Sequence, residues 1–193
     1  RIYPDEKVVF RNLKLYAGDT PVFWLPYLSQ PLHAELGYHF IPGARSNWGP
    51  YLLNSYGIML GGDEDGNNPW LLSKWHFDFM GRRGIGTGVE LRDPNNLDDE
   101  NLTGLSFYYL NDLNPEISRS GVERGFVNED RYEIELKQRL NFDMPDDATW
   151  YADANITFLS DLYYLEDFDP QRYHNDPFPD NTIGLYRRDE TSL

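Results

Sequence analysis

Long segments with a strict alternation of apolar and polar side chains dominate this sequence. Between Trp70 and Met80, Trp75, Phe77 and Phe79 fall on one side and Lys74, His76 and Asp78 on the other, and Tyr132 to Phe142 repeats the pattern. Because successive strand side chains point to opposite faces, each segment predicts a strand with one apolar and one charged face. The predicted strands have about 9 to 13 residues, whereas soluble strands usually have about 5 to 6 and membrane-spanning strands ~9–11. This length favours a sheet that crosses a membrane.

The composition argues against several classes of partner and against a helical membrane protein. The 193 residues carry a formal net charge of -15, which makes nucleic acid and anionic lipid surfaces poor partners. The mean hydropathy is -0.64, and a run of about 18 apolar residues, as a membrane helix needs, is missing. A β-barrel fits these values because its polar lumen lowers the average hydropathy. The sequence has no cysteine, and we interpret the chain, which begins at Arg1, as a piece of something longer.

Turn signals divide the chain into an antiparallel meander. Strands are predicted at 8–16 and 21–28, the second being apolar on both faces but broken by two prolines, as in an edge strand or an apolar plug. Residues 29–47, rich in Gly, Pro, Ser and Asn, are predicted to be an irregular connector. No helix is predicted. The further strands are predicted at 48–60, 70–80, 84–92, 102–111, 130–142 and 148–160, with a last one beginning near Thr182.

The two faces of these strands have different chemical characters. We expect a convex, lipid-facing side made of Trp75, Phe77, Phe79, Leu105, Phe107, Ile134 and Leu136. We expect a concave side that carries Lys74, His76, Glu90, Glu135 and Lys137. A soluble protein would have to cover the apolar band with a second layer, and the sequence offers no obvious one. A solvated face of a soluble sheet is the alternative. Gly84, Gly86 and Gly88 alternate within one strand, which leaves inner-face room for neighbouring side chains or a ligand.

Known catalytic and metal-binding motifs are missing. The four histidines are far apart and lack the spacing of a metal site. The acidic loop 63–66 lacks the spacing of an EF-hand, so a solvated turn is favoured over weak divalent-ion binding. Carboxylates are abundant, but no pair stands out as suited to glycoside hydrolysis. We therefore predict a protein that is not an enzyme and has neither a cofactor nor a metal.

Two blocks resemble a known family. Residues 14–28, Lys-Leu-Tyr-Ala-Gly-Asp-Thr-Pro-Val-Phe-Trp-Leu-Pro-Tyr-Leu, are similar to the segment that precedes the barrel in the lipopolysaccharide-assembly outer-membrane protein family (LptD or OstA). Residues 160–168, Ser-Asp-Leu-Tyr-Tyr-Leu-Glu-Asp-Phe, resemble the S-D-x-x-Y-L-x-D-F stretch that follows an early barrel strand in that family. The order and spacing of the two blocks also fit.

The resemblance implies an all-β chain: the end of a periplasmic β-jelly-roll in residues 1–33, a connector in 34–47, and the first strands of a very large transmembrane β-barrel in 48–193. It implies a translocon that inserts lipopolysaccharide into the outer leaflet. The implied partners are lipopolysaccharide, outer-membrane lipid, a plug lipoprotein and a periplasmic bridge protein. The implied location is the outer membrane of a Gram-negative cell, with the N-terminal part in the periplasm.

The resemblance also implies a lipid path and a lateral gate. The first barrel strand, at 48–60, would form one lip, and a proline there would weaken pairing. Loops 61–69, 93–101 and 143–147 would lie outside the cell, and 81–84, 112–129 and 161–181 in the periplasm. Two alternatives stay open, a porin-like channel and a soluble carbohydrate-binding β-sandwich. The residues assigned to the lipid path and gate are Val22, Phe23, Trp24, Leu25, Tyr27, Trp48, Gly49 and Pro50.

Overall fold

The computed structural model describes residues 2–3, 7–17, 19–31, 35–62, 68–97, 102–119, 121, 123–142 and 148–189. They form two antiparallel sheets. The smaller sheet contains β1 (Ile2–Tyr3), β2 (Lys7–Ala17) and β3 (Thr20–Pro31). The larger sheet contains β4 (Gly37–Arg45), β5 (Gly49–Leu60), β6 (Leu71–Met80), β7 (Gly84–Arg92), β8 (Gly104–Asp112), β9 (Asp130–Phe142), β10 (Ala148–Leu159) and β11 (Thr182–Asp189). Helices are α1 (Tyr164–Phe168), α2 (Pro170–Asn175) and a 3-10 turn at Pro94–Asn96.

The larger sheet is a simple meander, in which strands that are consecutive in sequence are neighbours, with β4 and β11 at its two edges. This confirms the all-β, antiparallel prediction and the strands predicted from residue 48 onward. The strand connections alternate between two ends of the sheet. We call the end with turns 46–48 and 81–83 and connections 113–129 and 160–181 the turn end. Neither α1 nor α2, nor any other helix in the described ranges, is long and apolar enough to cross a bilayer.

The prediction of an irregular connector over 29–47 is wrong. β3 continues to Pro31, and the segment from Gly37 to Arg45 forms β4, which pairs with β5 in a continuous register. Pro42 and Gly43 obscured this strand in the sequence. They are tolerated because β4 lies at the edge of the sheet and has a strand neighbour on one side only. The proposed domain division at residues 33 and 47 stays a prediction, but the larger sheet begins at Gly37.

The prediction that the chain has no helix is also wrong. Five and six residues are too few for α1 and α2 to show a helical period in the sequence. Their boundaries follow local chemistry instead. The Asp169 carboxylate accepts a hydrogen bond from the Arg172 N–H at 3.1 Å, and Pro170 occupies the first turn of α2, where its missing N–H costs nothing.

The two-faced character of the sheet is confirmed. The apolar row contains the cross-strand partners Trp75, Val89, Phe107, Ile134 and Phe158. The next row, on the opposite face, contains Lys74, Glu90, Ser106, Glu135 and Thr157. Side chains of the apolar face are strongly exposed, and Phe77 has 62% of its surface free. We call the two sides the apolar face and the inner face.

Two glycines of β7 make room for a tyrosine on the inner face. The Tyr108 ring lies over Gly86 and Gly88, and a Cβ atom at Gly86 would overlap its hydroxyl end. That hydroxyl donates to Asp78 Oδ2 at 2.8 Å, so the ring reaches across β7 to β6. The prediction that the glycines of this strand leave space for a neighbouring side chain is confirmed for Gly86 and Gly88, whereas Gly84 lies against the Asn111 carbonyl.

Replacing Gly86 with alanine is expected to destabilise the fold by about 1–3 kcal/mol, the usual cost of forcing an extra methyl group into a packed site. Urea unfolding monitored by tryptophan fluorescence measures the change. Gly125→Ala is the matched control, because a Cβ atom there meets nothing within 4 Å. Equal stabilities of the two variants would contradict the packing described for Tyr108.

Candidate functional site

Four fully buried charged side chains meet at the turn end of the inner face. We call them the buried charge cluster: Arg83, Asp112, Arg131 and Asp167. Arg83 lies in the turn between β6 and β7, Asp112 ends β8, Arg131 is near the start of β9, and Asp167 belongs to α1. They come together because an antiparallel meander returns every second connection to the same end of the sheet. The cluster therefore joins the β6–β7 turn and the β8–β9 connection to the connection between β10 and β11.

Opposite charges alternate within the cluster. Asp112 Oδ2 accepts from Arg83 Nη1 at 2.9 Å and from Arg131 Nη1 at 3.1 Å. Asp167 lies 3.2 Å from Arg83 Nη2 through Oδ1, and 2.8 Å from Arg131 Nη1 through Oδ2. Arg124 Nη1 also donates to Asp167 Oδ2, at 2.8 Å. Buried charges are tolerated only with such partners, because taking an ion out of water is costly.

The 160–168 block is fastened to the inner face by its aspartates and its phenylalanine. Asp161 accepts two hydrogen bonds from Arg131, from Nε and Nη2, each at 2.9 Å. The Asp167 carbonyl accepts from Trp48 Nε1 at 2.9 Å. The Phe168 ring lies 5.0 Å from the Arg131 guanidinium carbon and 6.4 Å from the Trp48 ring. The block that resembles the family motif is thus the segment that closes this end of the inner face.

A cavity of about 490 Å³ lies on the inner face beside this closure. Trp48, Tyr164 and Phe168 line it near the turn end, and His76 and Glu90 line it further along the strands. His76 Nε2 lies 2.6 Å from a Glu90 carboxylate oxygen. Burial, with a further contribution from the negative charge of Glu133, raises the pKa of the Tyr164 phenol well above its ordinary value. The phenol therefore stays neutral at physiological pH.

A salt bridge holds α2 over the same face. Arg172 Nη1 lies 2.6 Å from Glu133 Oε1, and Nη2 lies 2.6 Å from Glu135 Oε2. Arg172 Nη2 also donates to the Thr157 hydroxyl at 3.1 Å. The charges that the sequence placed on the lumen side of β9 are therefore partly neutralised by the chain's own connection.

The predicted gate residues Trp48, Gly49 and Pro50 lie at the turn end, where Trp48 belongs to the turn between β4 and β5 and the other two begin β5. Trp48 is 5% exposed, and Gly49 has the left-handed φ of +72° that the turn requires. Pro50 is the second residue of β5, it pairs with Ala44, and its carbonyl accepts from Gly81 N–H at 2.8 Å. Among the described residues β4 precedes β5 in the larger sheet and is its edge strand, so the expectation that the strand at 48–60 is the first of this sheet is wrong. The gate role of these residues stays a prediction.

The predicted lipid-path residues lie in β3 of the smaller sheet. Trp24 and Tyr27 are more than half exposed, and they pair with Lys14 and Arg11 of β2. Trp24 Nε1 donates to Asn12 Oδ1 at 2.6 Å. The side chains of Val22, Phe23 and Leu25 lie outside the described residues. Among the side chains that are described, no hydrogen bond or ring contact joins Trp24 or Tyr27 to Trp48, so the structure does not bring the two predicted groups together.

Sequence reasoning missed the buried charge cluster. Arg83 is one of two adjacent arginines in a hairpin turn, and nothing local distinguishes it from Arg82, which is exposed. Arg131 falls on the charged face of β9, where it looks like any other inner-face charge. The 160–168 block was the one sequence feature that could have indicated this cluster, because its aspartates, if buried, require basic partners at the same end of the meander.

No protein-family model matches this chain, and no curated protein is similar to it. The fold and site define an all-β chain with an antiparallel eight-stranded meander, exposed aromatics on one face, and a charged face closed at one end by two short helices.

Proposed function

We propose that the larger sheet is part of the wall of an outer-membrane β-barrel that delivers lipopolysaccharide to the outer leaflet. The exposed apolar face carries this proposal. Trp75, Phe77, Phe79, Phe107 and Phe158 are all exposed on it. A contiguous patch of this kind is rare on soluble monomers, and hydrocarbon would cover it without a second protein layer.

The stagger of the strands supports a barrel wall. A single row of cross-strand partners runs from Tyr38, the second residue of β4, to Phe158, the last but one residue of β10. β4 and β10 run in the same direction, so the row enters one strand at its start and leaves the other at its end. This corresponds to an offset of roughly one to one and a half residues per strand and a tilt of about 35–45°. Closed barrels require a tilt of this size.

The choice of lipopolysaccharide as cargo depends on the resemblance of residues 14–28 and 160–168. The structure gives the second block a role consistent with that proposal, because the block closes the inner face at one end. In this proposal β4, with Pro42 in its middle, replaces β5 as the strand at the gate, since it has one free edge within the larger sheet. The proposed location is the outer membrane, with the smaller sheet in the periplasm, and the proposed partners are a plug lipoprotein and a bridge protein.

Depletion of the full-length protein from cells tests the function. We expect the amount of lipopolysaccharide at the cell surface to fall, because its delivery would lose the translocon. Normal surface lipopolysaccharide with reduced uptake of small solutes would contradict the proposal and support the porin-like channel. A full-length protein that stays in the soluble fraction without detergent would support the carbohydrate-binding sandwich instead.

Labelling of single cysteines tests which end of the sheet faces outward. This chain has no native cysteine, so Asn95→Cys in the β7–β8 connection and Phe126→Cys at the turn end, both exposed, report separately. We expect a membrane-impermeant maleimide to label Asn95→Cys in intact cells, and to label Phe126→Cys only after the outer membrane is permeabilised. The reverse pattern would invert the assigned orientation.

A further inference from the structure

A second cavity, of about 600 Å³, opens at the turn end next to the turn between β4 and β5. We call it the arginine pocket, and it is lined by Arg45, Ser46, Asn47, Arg119, Pro170 and Gln171. None of these lining residues carries a carboxylate group, although the chain has a net charge of -15. The pocket therefore concentrates positive charge in a strongly acidic protein.

The two arginines of the pocket keep their charge available for a ligand. Among the residues that the structure describes, neither Arg45 nor Arg119 forms a salt bridge. The Arg45 guanidinium carbon lies 4.3 Å from the Trp48 ring centroid, a contact that supports the side chain without neutralising it. Glu116 and Glu123, the carboxylates nearest to Arg119 in sequence, do not line the pocket.

One buried side chain ties together the backbone segments that carry these two arginines. Arg83 donates to the carbonyl of Asn47 at 3.2 Å, in the turn that follows Arg45. The same guanidinium donates to the carbonyls of Asn114 at 2.9 Å and Ile117 at 2.7 Å, at the base of the loop that carries Arg119. The backbone on both sides of the pocket is thus tied to a single fully buried group. A site held in this way loses little conformational freedom when it binds a ligand.

We propose that the arginine pocket binds a phosphate group. A guanidinium presents parallel N–H donors that match two phosphate oxygens, and two such groups lining one pocket can hold one phosphate or a diphosphate. The Ser46 hydroxyl and the Gln171 amide supply further donors on the pocket wall. The phosphate of a glycolipid and a free phosphate share this chemistry. A glycolipid as the ligand would deepen the proposed function and rests on it, whereas a free phosphate would go beyond it.

Binding by the purified full-length protein tests the site. The probes are inorganic pyrophosphate, and phosphatidylcholine nanodiscs that contain either a diphosphorylated glucosamine glycolipid or its dephosphorylated form. We expect the double variant Arg45→Gln/Arg119→Gln to bind the phosphorylated probe at least about tenfold more weakly, since hydrogen bonds to charged groups are the strong ones. Arg139→Gln is the matched control, because that arginine is exposed and pairs with Asp153.

Each outcome has a definite meaning. Binding of both pyrophosphate and the phosphorylated glycolipid, lost in the double variant alone, supports the site with a glycolipid as its source of phosphate. Binding of pyrophosphate alone, with the same loss, supports a free phosphate as the ligand. No binding of either probe, or equal binding by the wild type and the double variant with unchanged circular dichroism, would overturn the proposal. The result does not depend on whether depletion of the protein lowers surface lipopolysaccharide.

Discussion

Replacing Asp167 with asparagine is expected to destabilise the protein by about 3–5 kcal/mol, the usual cost of removing one partner from a buried ion pair. Asp167 is fully buried and is within salt-bridge distance of Arg83, Arg124 and Arg131. The amide keeps the shape of the side chain but removes its charge. Three guanidinium groups would then share fewer negative partners in a site that water cannot reach. Urea unfolding of the full-length protein measures the loss.

The matched control is Asp153→Asn, which removes a carboxylate from the Arg139–Asp153 pair. That pair has a short contact of 2.6 Å, but both side chains are about a third or more exposed. Water screens exposed pairs, so we expect little change in stability. The comparison separates the effect of burial on stability from the effect of contact distance. The exposed Arg139–Asp153 pair has the shorter contact, yet it is expected to contribute less to stability. Equal losses in the two variants would show that the buried charge cluster is not an energetic centre of the fold.

The meander was predictable because its signal is local and repeated. Each strand from β6 to β10 carries its own alternation, so the type of each strand follows from a window of about ten residues. The pairing order follows because sequential strands joined by short connections become neighbours. β4 escaped prediction because Pro42 and Gly43 interrupt its pattern, and such interruptions are tolerated only at an edge, which is a property of the whole sheet.

The buried charge cluster was not predictable in the same way. Its members come from two separate hairpins and a helix, and Arg83 and Asp167 are 84 positions apart in the sequence. An arginine that will be buried has the same local signature as one that will be solvated, since the difference lies in what packs above it. α1 supplies that cover, and its five residues are too few to show a period. Long-range compensation of charge is therefore the part of the site that only the structure shows.

Replacing Phe77 with arginine gives the sharpest test of what covers the apolar face. Phe77 lies near the middle of β6 and is 62% exposed. If water covered the face, an arginine there would change stability by no more than about 0.5 kcal/mol, as at most surface positions. If hydrocarbon covers the face, the same change is expected to cost about 2–4 kcal/mol near the bilayer midplane. The two environments therefore predict effects that differ several-fold for one substitution.

Two further variants test whether the loss of stability in Phe77→Arg comes from contact with hydrocarbon or from the arginine itself. Phe77→Leu keeps an apolar side chain on the same face, so we expect it to unfold close to the wild type. Asn155→Arg places the same guanidinium on the inner face, opposite Lys137, at an exposed position. We expect it to cost much less than Phe77→Arg, because Asn155 is exposed and water screens the new charge from Lys137. The free energy of unfolding of each variant is measured in liposomes. A loss of stability confined to Phe77→Arg indicates that lipid covers the apolar face. Wild-type stability of all three variants would refute a membrane-facing sheet and with it the proposed barrel.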